Sequence, residues 1–260
     1  MPRSRKYCLS IAGFDPSGGA GLLADIKTFE AQGVFGLSAC TCITYQNDEK
    51  IEGLEFLPEH QLTHQLEVLF NYYEVSAIKI GLIKNLKVLD TVVNFIRSHD
   101  KSIPIVWDPV LSSTSGFVFH NGFEPKEFVD VCSKITIVTP NVEELMAIYS
   151  EAKTKKEAIE KMALSTNPYV KSFKQSKDNV TDRFIFNNKT IEHSNIKLLS
   201  SKRGTGCVFS SALCANIAKG NSMEESARLA NAYVNEFLTS EEGRLGLHIQ
   251  QNKANEKVYI

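Results

Sequence analysis

The alternation of two kinds of segment along the chain is the feature that most constrains its fold. Short apolar runs rich in β-branched residues are typical of strands buried on both faces of a sheet. They occupy residues 7–12, 39–44, 77–80, 105–107 and 136–138. Segments with helical periodicity separate them, so we predict right-handed crossovers and an α/β fold with a doubly wound, mostly parallel sheet and helices on both faces.

Helical spacing is clearest in two segments and in a third near the C-terminus. Apolar residues recur every three or four positions at Leu62, Leu66, Leu69 and Tyr73, at Leu89, Val92, Val93 and Ile96, and through residues 222–239. Between the second and third segments, residues 168–173, 183–186 and 190–197 are short strand-like pieces joined by turns. These pieces predict an antiparallel edge to the sheet.

The length of 260 residues is enough to bury a sizeable core without disulfides or structural metal. An apolar fraction of 43% and a charged fraction of 23% are ordinary for globular proteins and exclude disorder as the main state. The chain contains no internal repeat and no obvious linker. We therefore predict a single domain over residues 1–260, of which 250–260 form a loose, polar tail.

Charge and cysteine usage exclude several classes of function. The 29 basic and 30 acidic residues leave a net charge of −1, which attracts neither nucleic acid nor an anionic membrane. No apolar run approaches the roughly 20 residues of a membrane-spanning helix. The six cysteines include no C-x-x-C pair, which favours a reducing compartment. The basic start before residue 7 imitates a secretion signal, but no cleavage site follows, so we expect a cytoplasmic protein.

Glycines cluster after the first predicted strand. Gly13, Gly18, Gly19 and Gly21 lie in G-F-D-P-S-G-G-A-G, which leads into a predicted helix over residues 22–32. In an open α/β sheet, ligands bind at the carboxyl ends of the strands, where this loop lies. The spacing matches neither a Walker loop nor a dinucleotide-binding loop. A simple tight turn between strand and helix remains an equal explanation.

A second glycine motif precedes a small, apolar segment that we predict to be a buried helix. The motif consists of Gly204, Thr205, Gly206 and Cys207. Backbone N–H groups at such a helix start can bind an anion and stabilise a phosphoryl group in transfer. Helix dipole and a bound cation are expected to lower the pKa of Cys207, so that its thiolate takes a proton from an acceptor hydroxyl. The alternative is a small buried residue that packs against a glycine turn.

Acidic residues follow two further predicted strands. Asp108 comes after the strand at 105–107, and Glu144 lies three residues after Asn141, beyond the strand at 136–138. Carboxylates at neighbouring strand ends can hold Mg²⁺, largely through its waters. Asn141 and Glu144 also fit a capping box at a helix start. The two interpretations are compatible.

Six motifs together resemble the hydroxymethylpyrimidine/phosphomethylpyrimidine kinases of thiamine biosynthesis, members of the ribokinase-like superfamily. The motifs are I-A-G-F-D-P-S-G-G-A-G-L-L-A-D-I-K-T-F at 11–29, Y-Q-N at 45–47, K-I-G-L at 79–82, D-P-V at 108–110, T-P-N-V-E-E at 139–144 and G-T-G-C at 204–207. They occur in family order and span most of the chain. The resemblance implies a ribokinase-like fold and the use of ATP and Mg²⁺. It also implies phosphorylation of 4-amino-5-hydroxymethyl-2-methylpyrimidine and then of its monophosphate.

The resemblance also assigns roles to residues. It implies that the pyrimidine is contacted by Gly13, Asp25, Gln46 and Val110. It implies that Asp108 and Glu144 hold the metal and the phosphates beside Asn141, that Lys171 approaches the nucleotide phosphates, and that Cys207 is the catalytic base within 204–207. A homodimer is expected on the same ground.

Three departures from the family pattern affect the nucleotide end. The family's K-G-G-H is K-S-F-K at residues 171–174, and its threonine and histidine before G-T-G-C are Lys202 and Arg203. Thr114 and Ser115 lie where the family often has a lysine. Lys202 and Arg203 either bind ATP phosphates in compensation or are merely solvated.

Two other functions remain open from the sequence. A pyridoxal kinase shares the fold and the nucleotide, and its substrate is also a hydroxymethylated heteroaromatic ring. A catalytically weak paralogue would bind the pyrimidine or its phosphate as a sensor or carrier. The altered segment 171–174 motivates the second alternative, whereas Asp108, Glu144 and the G-T-G-C motif argue against it.

Overall fold

The computed structural model of the protein describes residues 5–113, 116–120, 122–198, 202–251 and 257–259. Its strands are β1 (Tyr7–Phe14), β2 (Phe35–Gln46), β3 (Ile51–Phe56), β4 (Val75–Ile80), β5 (Ile105–Trp107), β6 (Ile137–Val138), β7 (Asn167–Gln175), β8 (Asn179–Phe186), β9 (Lys189–Ile196), β10 (Ile249–Gln251) and β11 (Lys257–Tyr259). Its helices are α1 (Gly21–Ala31), α2 (Glu59–Phe70), α3 (Leu86–His99), α4 (Pro125–Cys132), α5 (Val142–Ile148), α6 (Lys155–Met162), α7 (Thr205–Ala218) and α8 (Met223–Leu238).

The main sheet has nine strands in the order β3-β2-β1-β4-β5-β6-β7-β8-β9. The six central strands, β2, β1, β4, β5, β6 and β7, run parallel to one another. β8 and β9 continue the sheet antiparallel to β7, as predicted. The predicted α/β fold is therefore confirmed, including its antiparallel edge.

The opposite edge was not predicted. β3 pairs antiparallel with the far end of β2, which runs well beyond the predicted residues 39–44. β3 has no fully buried residue and no regular alternation of burial, and Gly53 weakens its strand signal. Pairing with the long β2 ladder, a tertiary effect, therefore determines this strand more than its own sequence does.

The core lies in two layers, one on each face of the sheet. Alternate residues of β1 point to opposite faces, so that Leu9 and Ile11 join one apolar cluster and Cys8 the other. The first cluster packs under α2, α3, α4, α5 and α6. The second packs under α1, α7 and α8. α7 has buried residues on all its sides from Val208 onward, as its small apolar sequence predicted.

The C-terminal segment folds back on itself where the structure describes it. β10 pairs antiparallel with β11, with Ile249 opposite Tyr259. Residues 252–256 and 260 lie outside the described residues, so the loose tail over 250–260 stays a prediction. Within the described residues, no helix combines the length and the apolar character that crossing a membrane requires.

Candidate active site

A cavity of about 490 Å³ opens at the carboxyl ends of the parallel strands, where α1 and α7 begin. This is the position at which open α/β sheets bind their ligands. Of the residues that we predicted for the site, all but Asp25 line it. They are Gly13, Gln46, Asp108, Val110, Asn141, Glu144, Lys171, Gly204, Thr205, Gly206 and Cys207.

The two glycine loops meet backbone to backbone at the floor of the cavity. Gly21 has φ of 57° and Gly204 has φ of 70°, a region that residues with a Cβ rarely adopt. A Cβ on Gly21 would overlap the carbonyl oxygen of Gly13, and one on Gly204 would overlap that of Gly19. Glycine is needed at position 21 because its loop folds back onto the end of β1, and at position 204 because the two loops approach each other more closely than a side chain permits.

The start of α7 faces this cavity without a side-chain cap. Gly204 occupies the N-cap position and offers no side-chain oxygen to the first turn. Gly204, Thr205, Gly206 and Cys207 all line the cavity. The backbone N–H groups of a helix start have no partner within the helix and carry its positive dipole end. The arrangement can therefore accept an anion.

Cys207 lies in the predicted position, but the pKa of its thiol is raised rather than lowered. Burial, together with the negative charges of Asp25 and Asp108, raises the pKa of its thiol to about 11. The charge of Lys79 and a hydrogen bond from the backbone of Gly21 act in the other direction and do not offset the burial. The expectation of a lowered thiol pKa was wrong, because loss of solvation outweighs the helix start.

Asp25 lies behind the cavity wall, contrary to the expectation that it faces the pocket. Its carboxylate is fully buried and accepts from Lys79 Nζ at 2.7 and 2.8 Å, from Ser10 Oγ at 2.5 Å and from Ser211 Oγ at 2.7 Å. Burial alone would lower the pKa of Lys79, but the Asp25 carboxylate more than offsets this effect and raises it. Lys79 therefore stays charged, and it is Lys79 that lines the cavity.

Sequence reasoning did not single out Lys79, although it stands in the matched K-I-G-L motif. A lysine inside a strand that is buried on both faces is itself a signal. Such side chains are almost never fully buried unless an opposite charge pairs with them. A buried lysine therefore predicts an oppositely charged partner, but the sequence does not identify Asp25 or the two serines as its surroundings.

The second group of charges lies where β5 and β6 end, beside the middle of β7. Lys171 Nζ is 2.6 Å from Asp108 Oδ1, and Thr139 Oγ1 lies 3.3 Å from the same oxygen. The backbone N–H of Lys171 donates to the carbonyl of Pro140, which holds β7 against the segment that precedes α5. The lysine and the aspartate that were predicted to meet phosphates are thus in direct contact.

Asn141 and Glu144 form the predicted capping box at the start of α5. Asn141 Oδ1 accepts from the N–H of Glu144, and Glu144 Oε2 accepts from the N–H of Asn141, both at 2.8 Å. Burial and the negative charge of Asp108 raise the pKa of Glu144 to about 7, against the influence of Lys171. One oxygen of Glu144 is therefore already committed to the backbone.

The residues present fit a magnesium ion that is held mainly by phosphates and water. Within the described residues, both hydrogen bonds to Asp108 fall on Oδ1, so that Oδ2 remains available. No three His, Cys, Asp or Glu side chains of the described residues converge as a complete metal site. Mg²⁺ commonly takes only one or two carboxylates and completes its shell with water and substrate phosphates.

The altered segment at 171–174 keeps the backbone shape that glycine would allow. Ser172 has φ of 55° at the place of a family glycine. Its N–H donates to Asp182 Oδ1 at 2.7 Å, and β7 bulges at this point. Phe173 is buried under the guanidinium of Arg183, which lies 3.9 Å from the ring centroid. Lys171 still reaches the cavity.

Lys202 is not solvated, and backbone carbonyls engage its charge. Its side chain is 3% exposed, and Nζ donates to the carbonyls of Glu241, Gly243 and Leu245 at 2.6, 3.2 and 3.1 Å. The expectation of a solvated side chain was therefore wrong for Lys202, and its contact with ATP phosphates stays a prediction. The ammonium anchors the loop after α8, because three carbonyls of that loop satisfy its donors.

Arg203 is also buried, with 6% of its surface exposed, so the expectation of a solvated side chain was wrong here too. Its Nη2 donates to Gln46 Oε1 at 2.8 Å. Arg203 therefore crosses from the start of α7 to the end of β2. Thr114 and Ser115, at the place of the family's lysine after D-P-V, lie outside the described residues.

Comparison with known proteins gives consistent relatives. The sequence profile described as phosphomethylpyrimidine kinase matches residues 15–252. The hydroxymethylpyrimidine/phosphomethylpyrimidine kinase of Aquifex aeolicus is 30% identical over 241 residues, which are 88% of this chain and 93% of that protein. The protein of the same description from Staphylococcus aureus strain MSSA476 is 29% identical over 239 residues, 88% of this chain and 86% of that protein.

Solved structures with the same fold include two kinds of vitamin kinase. The pyridoxal kinase from Staphylococcus aureus in complex with pyridoxal has a TM-score of 0.83 and 22% identity, covering 99% of this chain and 100% of that one. Phosphomethylpyrimidine kinase from Clostridium difficile 630 has a TM-score of 0.73 and 26% identity, covering 89% and 99%. These matches confirm the ribokinase-like fold and the resemblance that the six motifs carried. The chain belongs to the phosphomethylpyrimidine kinase family.

Proposed function

We propose that this protein transfers the γ-phosphoryl group of ATP to the hydroxyl of 4-amino-5-hydroxymethyl-2-methylpyrimidine and then to the phosphate of the resulting monophosphate. The observation that carries the proposal is the uncapped start of α7 in the wall of the cavity. It has the acceptor residues Gly13 and Gln46 on one side and the Asp108–Lys171 pair on the other. A migrating phosphoryl group needs such fixed donors, because its transfer depends mainly on positioning and charge stabilisation.

The acceptor end is formed by Gly13, Gln46 and Val110. A Cβ at Gly13 would lie 2.6 Å from Cys42 Sγ, so glycine is needed where β1 passes β2 at the cavity wall. The carboxamide of Gln46 can donate and accept at once, which suits an aminopyrimidine edge. Asp25 acts on this end through Lys79, whose charge it fixes behind the wall.

The nucleotide end is formed by Asn141, Lys171, Asp108 and Glu144. Lys171 offers its ammonium to the phosphates when it exchanges Asp108 for them. Asp108 would hold Mg²⁺ through its free oxygen and Glu144 would hold it through water. When bound, the ion neutralises charge on the transferred phosphates.

Cys207 serves the first of the two steps. The alcohol must lose a proton as the new O–P bond forms, and the Cys207 sulfur at the start of α7 accepts it. Because the pKa of this thiol is about 11 in the cavity, only a small thiolate fraction exists at neutral pH. The second step needs no comparable proton removal, because its acceptor is already an anionic phosphate.

A homodimer in the cytosol completes the proposal. The dimer rests on the family resemblance alone. The location is supported by the absence of disulfides among the six cysteines, all of which are free.

Side-by-side ATP consumption with Mg²⁺ and three acceptors tests the proposal: hydroxymethylpyrimidine, its monophosphate and pyridoxal. We expect turnover on both pyrimidines. Lys171→Met should lower kcat/KM for ATP by about 10–100-fold, since a charge-assisted contact to phosphate is lost. Lys174→Met is the matched control, because Lys174 lies on the same strand but its exposed ammonium pairs with Glu192.

Two results would contradict the proposal. Turnover on pyridoxal alone would make the protein a pyridoxal kinase of the same fold. Pyrimidine binding without ATP consumption would make it a sensor or carrier.

A further inference from the structure

The side chain of Arg203 lies across the acceptor end of the cavity with donors to spare. It leaves the chain one residue before the helix start at Gly204 and reaches Gln46 Oε1, 157 residues away in sequence. It is 6% exposed, and its buried Nε has no hydrogen-bond partner within the described residues. A buried donor without a partner is costly, and more so when it carries charge.

The other cations in the cavity wall are all engaged. Lys79 is paired with Asp25, Lys171 is paired with Asp108, and the ammonium of Lys202 is bound to three carbonyls. Arg203 differs because its one described side-chain partner is a neutral amide. No described carboxylate lies within ion-pair distance of Arg203. A buried guanidinium that no carboxylate neutralises is a binding site for an anion.

The position of Arg203 indicates which ligand carries that anion. Its stem packs along the first glycine loop, where a Cβ on Gly19 would lie 3.4 Å from Arg203 Cβ. Its head group is at Gln46, at the end of β2. The Asp108–Lys171 pair, at the end of β5 and the middle of β7, is separated from Gln46 by β1 and β4 in the strand order. The anion therefore belongs to the acceptor and not to the nucleotide.

We propose that Arg203 binds the phosphate ester of a phosphorylated acceptor and makes this protein prefer hydroxymethylpyrimidine monophosphate over the free alcohol. This inference rests on the proposed function and deepens it. The planar guanidinium fork matches a phosphate group geometrically and keeps its charge at every physiological pH. The phosphate displaces no carboxylate, so the arginine gains a partner without losing one.

Ligand binding without nucleotide tests the inference by isothermal calorimetry. The alcohol and the monophosphate are titrated separately into the wild type, Arg203→Gln and Arg203→Lys. Arg203→Gln should weaken monophosphate binding by about 10–100-fold, the value of one charge-assisted contact. Binding of the alcohol should change by less than about 3-fold, and Arg203→Lys should lie between the wild type and Arg203→Gln for the monophosphate.

Arg244→Gln is the matched control. It removes the same charge from an exposed residue whose side chain donates only to the carbonyl of Asp48 within the described residues. Its affinities should equal those of the wild type. Urea unfolding of all variants checks that Arg203→Gln is folded.

Each contrary result overturns the inference in a recognisable way. Equal weakening of both pyrimidines would mean that Arg203 only orients Gln46. Weakening confined to a non-hydrolysable ATP analogue would place the anion on the nucleotide, and unchanged binding of all ligands would remove the site altogether. Should the wild type neither bind nor phosphorylate a pyrimidine, the proposed function itself would fail together with this inference. If the wild type turns over the pyrimidines but Arg203→Gln does not weaken monophosphate binding more than alcohol binding, this inference fails and the proposed function stands.

Discussion

Single residues at the site are governed by the pairing of buried charges. Asp25 and Lys79 are both completely buried and belong to elements that meet only in the folded protein, α1 and β4. Ser10 and Ser211 supply further donors to the same carboxylate. Hydrogen bonds from Lys79 and from both serines satisfy the Asp25 carboxylate, and such bonds are the condition under which a buried ion pair is tolerated.

Asp25→Asn should destabilise the protein strongly. The variant leaves the Lys79 ammonium buried without a carboxylate, which costs about 3–5 kcal/mol in comparable cases. Urea unfolding measures the change in the free energy of unfolding. Glu225→Gln, which breaks an exposed pair with Arg228, is the control. It should cost less than about 1 kcal/mol. Equal effects in the two variants would show that the buried pair contributes no more than a surface pair.

Cys207→Ala should separate the two phosphorylation steps. We expect kcat for the alcohol to fall by about 100-fold or more, since proton removal is lost. For the monophosphate, kcat should fall less, because its acceptor oxygen is already anionic. Steady-state kinetics with each acceptor measures the ratio. Cys214→Ala, also on α7 but fully buried among apolar residues, should leave the ratio unchanged, and equal losses in Cys207→Ala would exclude a base role.

Among the secondary-structure elements, β7 adopts a left-handed backbone conformation that favours glycine, although serine occupies the position. Ser172 adopts φ of 55° in a bulge, and Asp182 on the neighbouring β8 accepts its N–H. The other carboxylate oxygen of Asp182 accepts from Tyr169 and Asn231. A left-handed conformation costs a residue with a Cβ about 1–2 kcal/mol. The hydrogen bond to Asp182 offsets part of this cost.

Asp182→Ala should therefore displace Lys171, although Asp182 itself does not line the cavity. We expect KM for ATP to rise by about 10-fold with a smaller change in kcat, as when a binding group is displaced. Adding Ser172→Gly should recover part of the loss, because glycine adopts this conformation without the hydrogen bond. Kinetics of the single and double variants measure the recovery. A loss that the glycine does not recover would show that Asp182 acts in another way.

The C-terminal segment joins two helices that cover the same face of the sheet, α1 and α8. His248 is 4% exposed and lies against Thr28 of α1 and Tyr233 of α8. Burial and, to a smaller extent, the nearby charge of Lys27 lower the pKa of His248 to about 4. The folded protein therefore keeps this imidazole neutral where an unfolded chain would protonate it.

This difference predicts acid sensitivity. The folded pKa is below the unfolded value of about 6.5, so the stabilising effect is complete above pH ~6.5 and is lost as the pH falls toward 4. The loss amounts to about 3 kcal/mol over that window. Urea unfolding at successive pH values should show a shallower acid slope in His248→Asn than in the wild type. The same slope in both would contradict the prediction, and exposed His64→Gln serves as the control.

The alternation of the central strands with helices could be predicted from the sequence, and with it the edge of the sheet where ligands bind. Hydrophobic periodicity and glycine spacing are local properties, and the handedness of crossovers converts them into a parallel sheet. Residues that follow different strands then meet at one edge, as Asp108 and Asn141 do beside Lys171 of β7. The capping box at Asn141 was predictable for the same reason, since its two residues are three positions apart.

Which buried charges pair, and how strongly water is excluded from them, depends on the tertiary structure alone. Asp25 and Lys79 are 54 residues apart in sequence, and Arg203 and Gln46 are 157 apart. The elevated pKa of Cys207 and the engagement of Lys202 by three carbonyls depend likewise on distant segments. Solvation and Coulomb interactions act through space between residues that no local pattern relates.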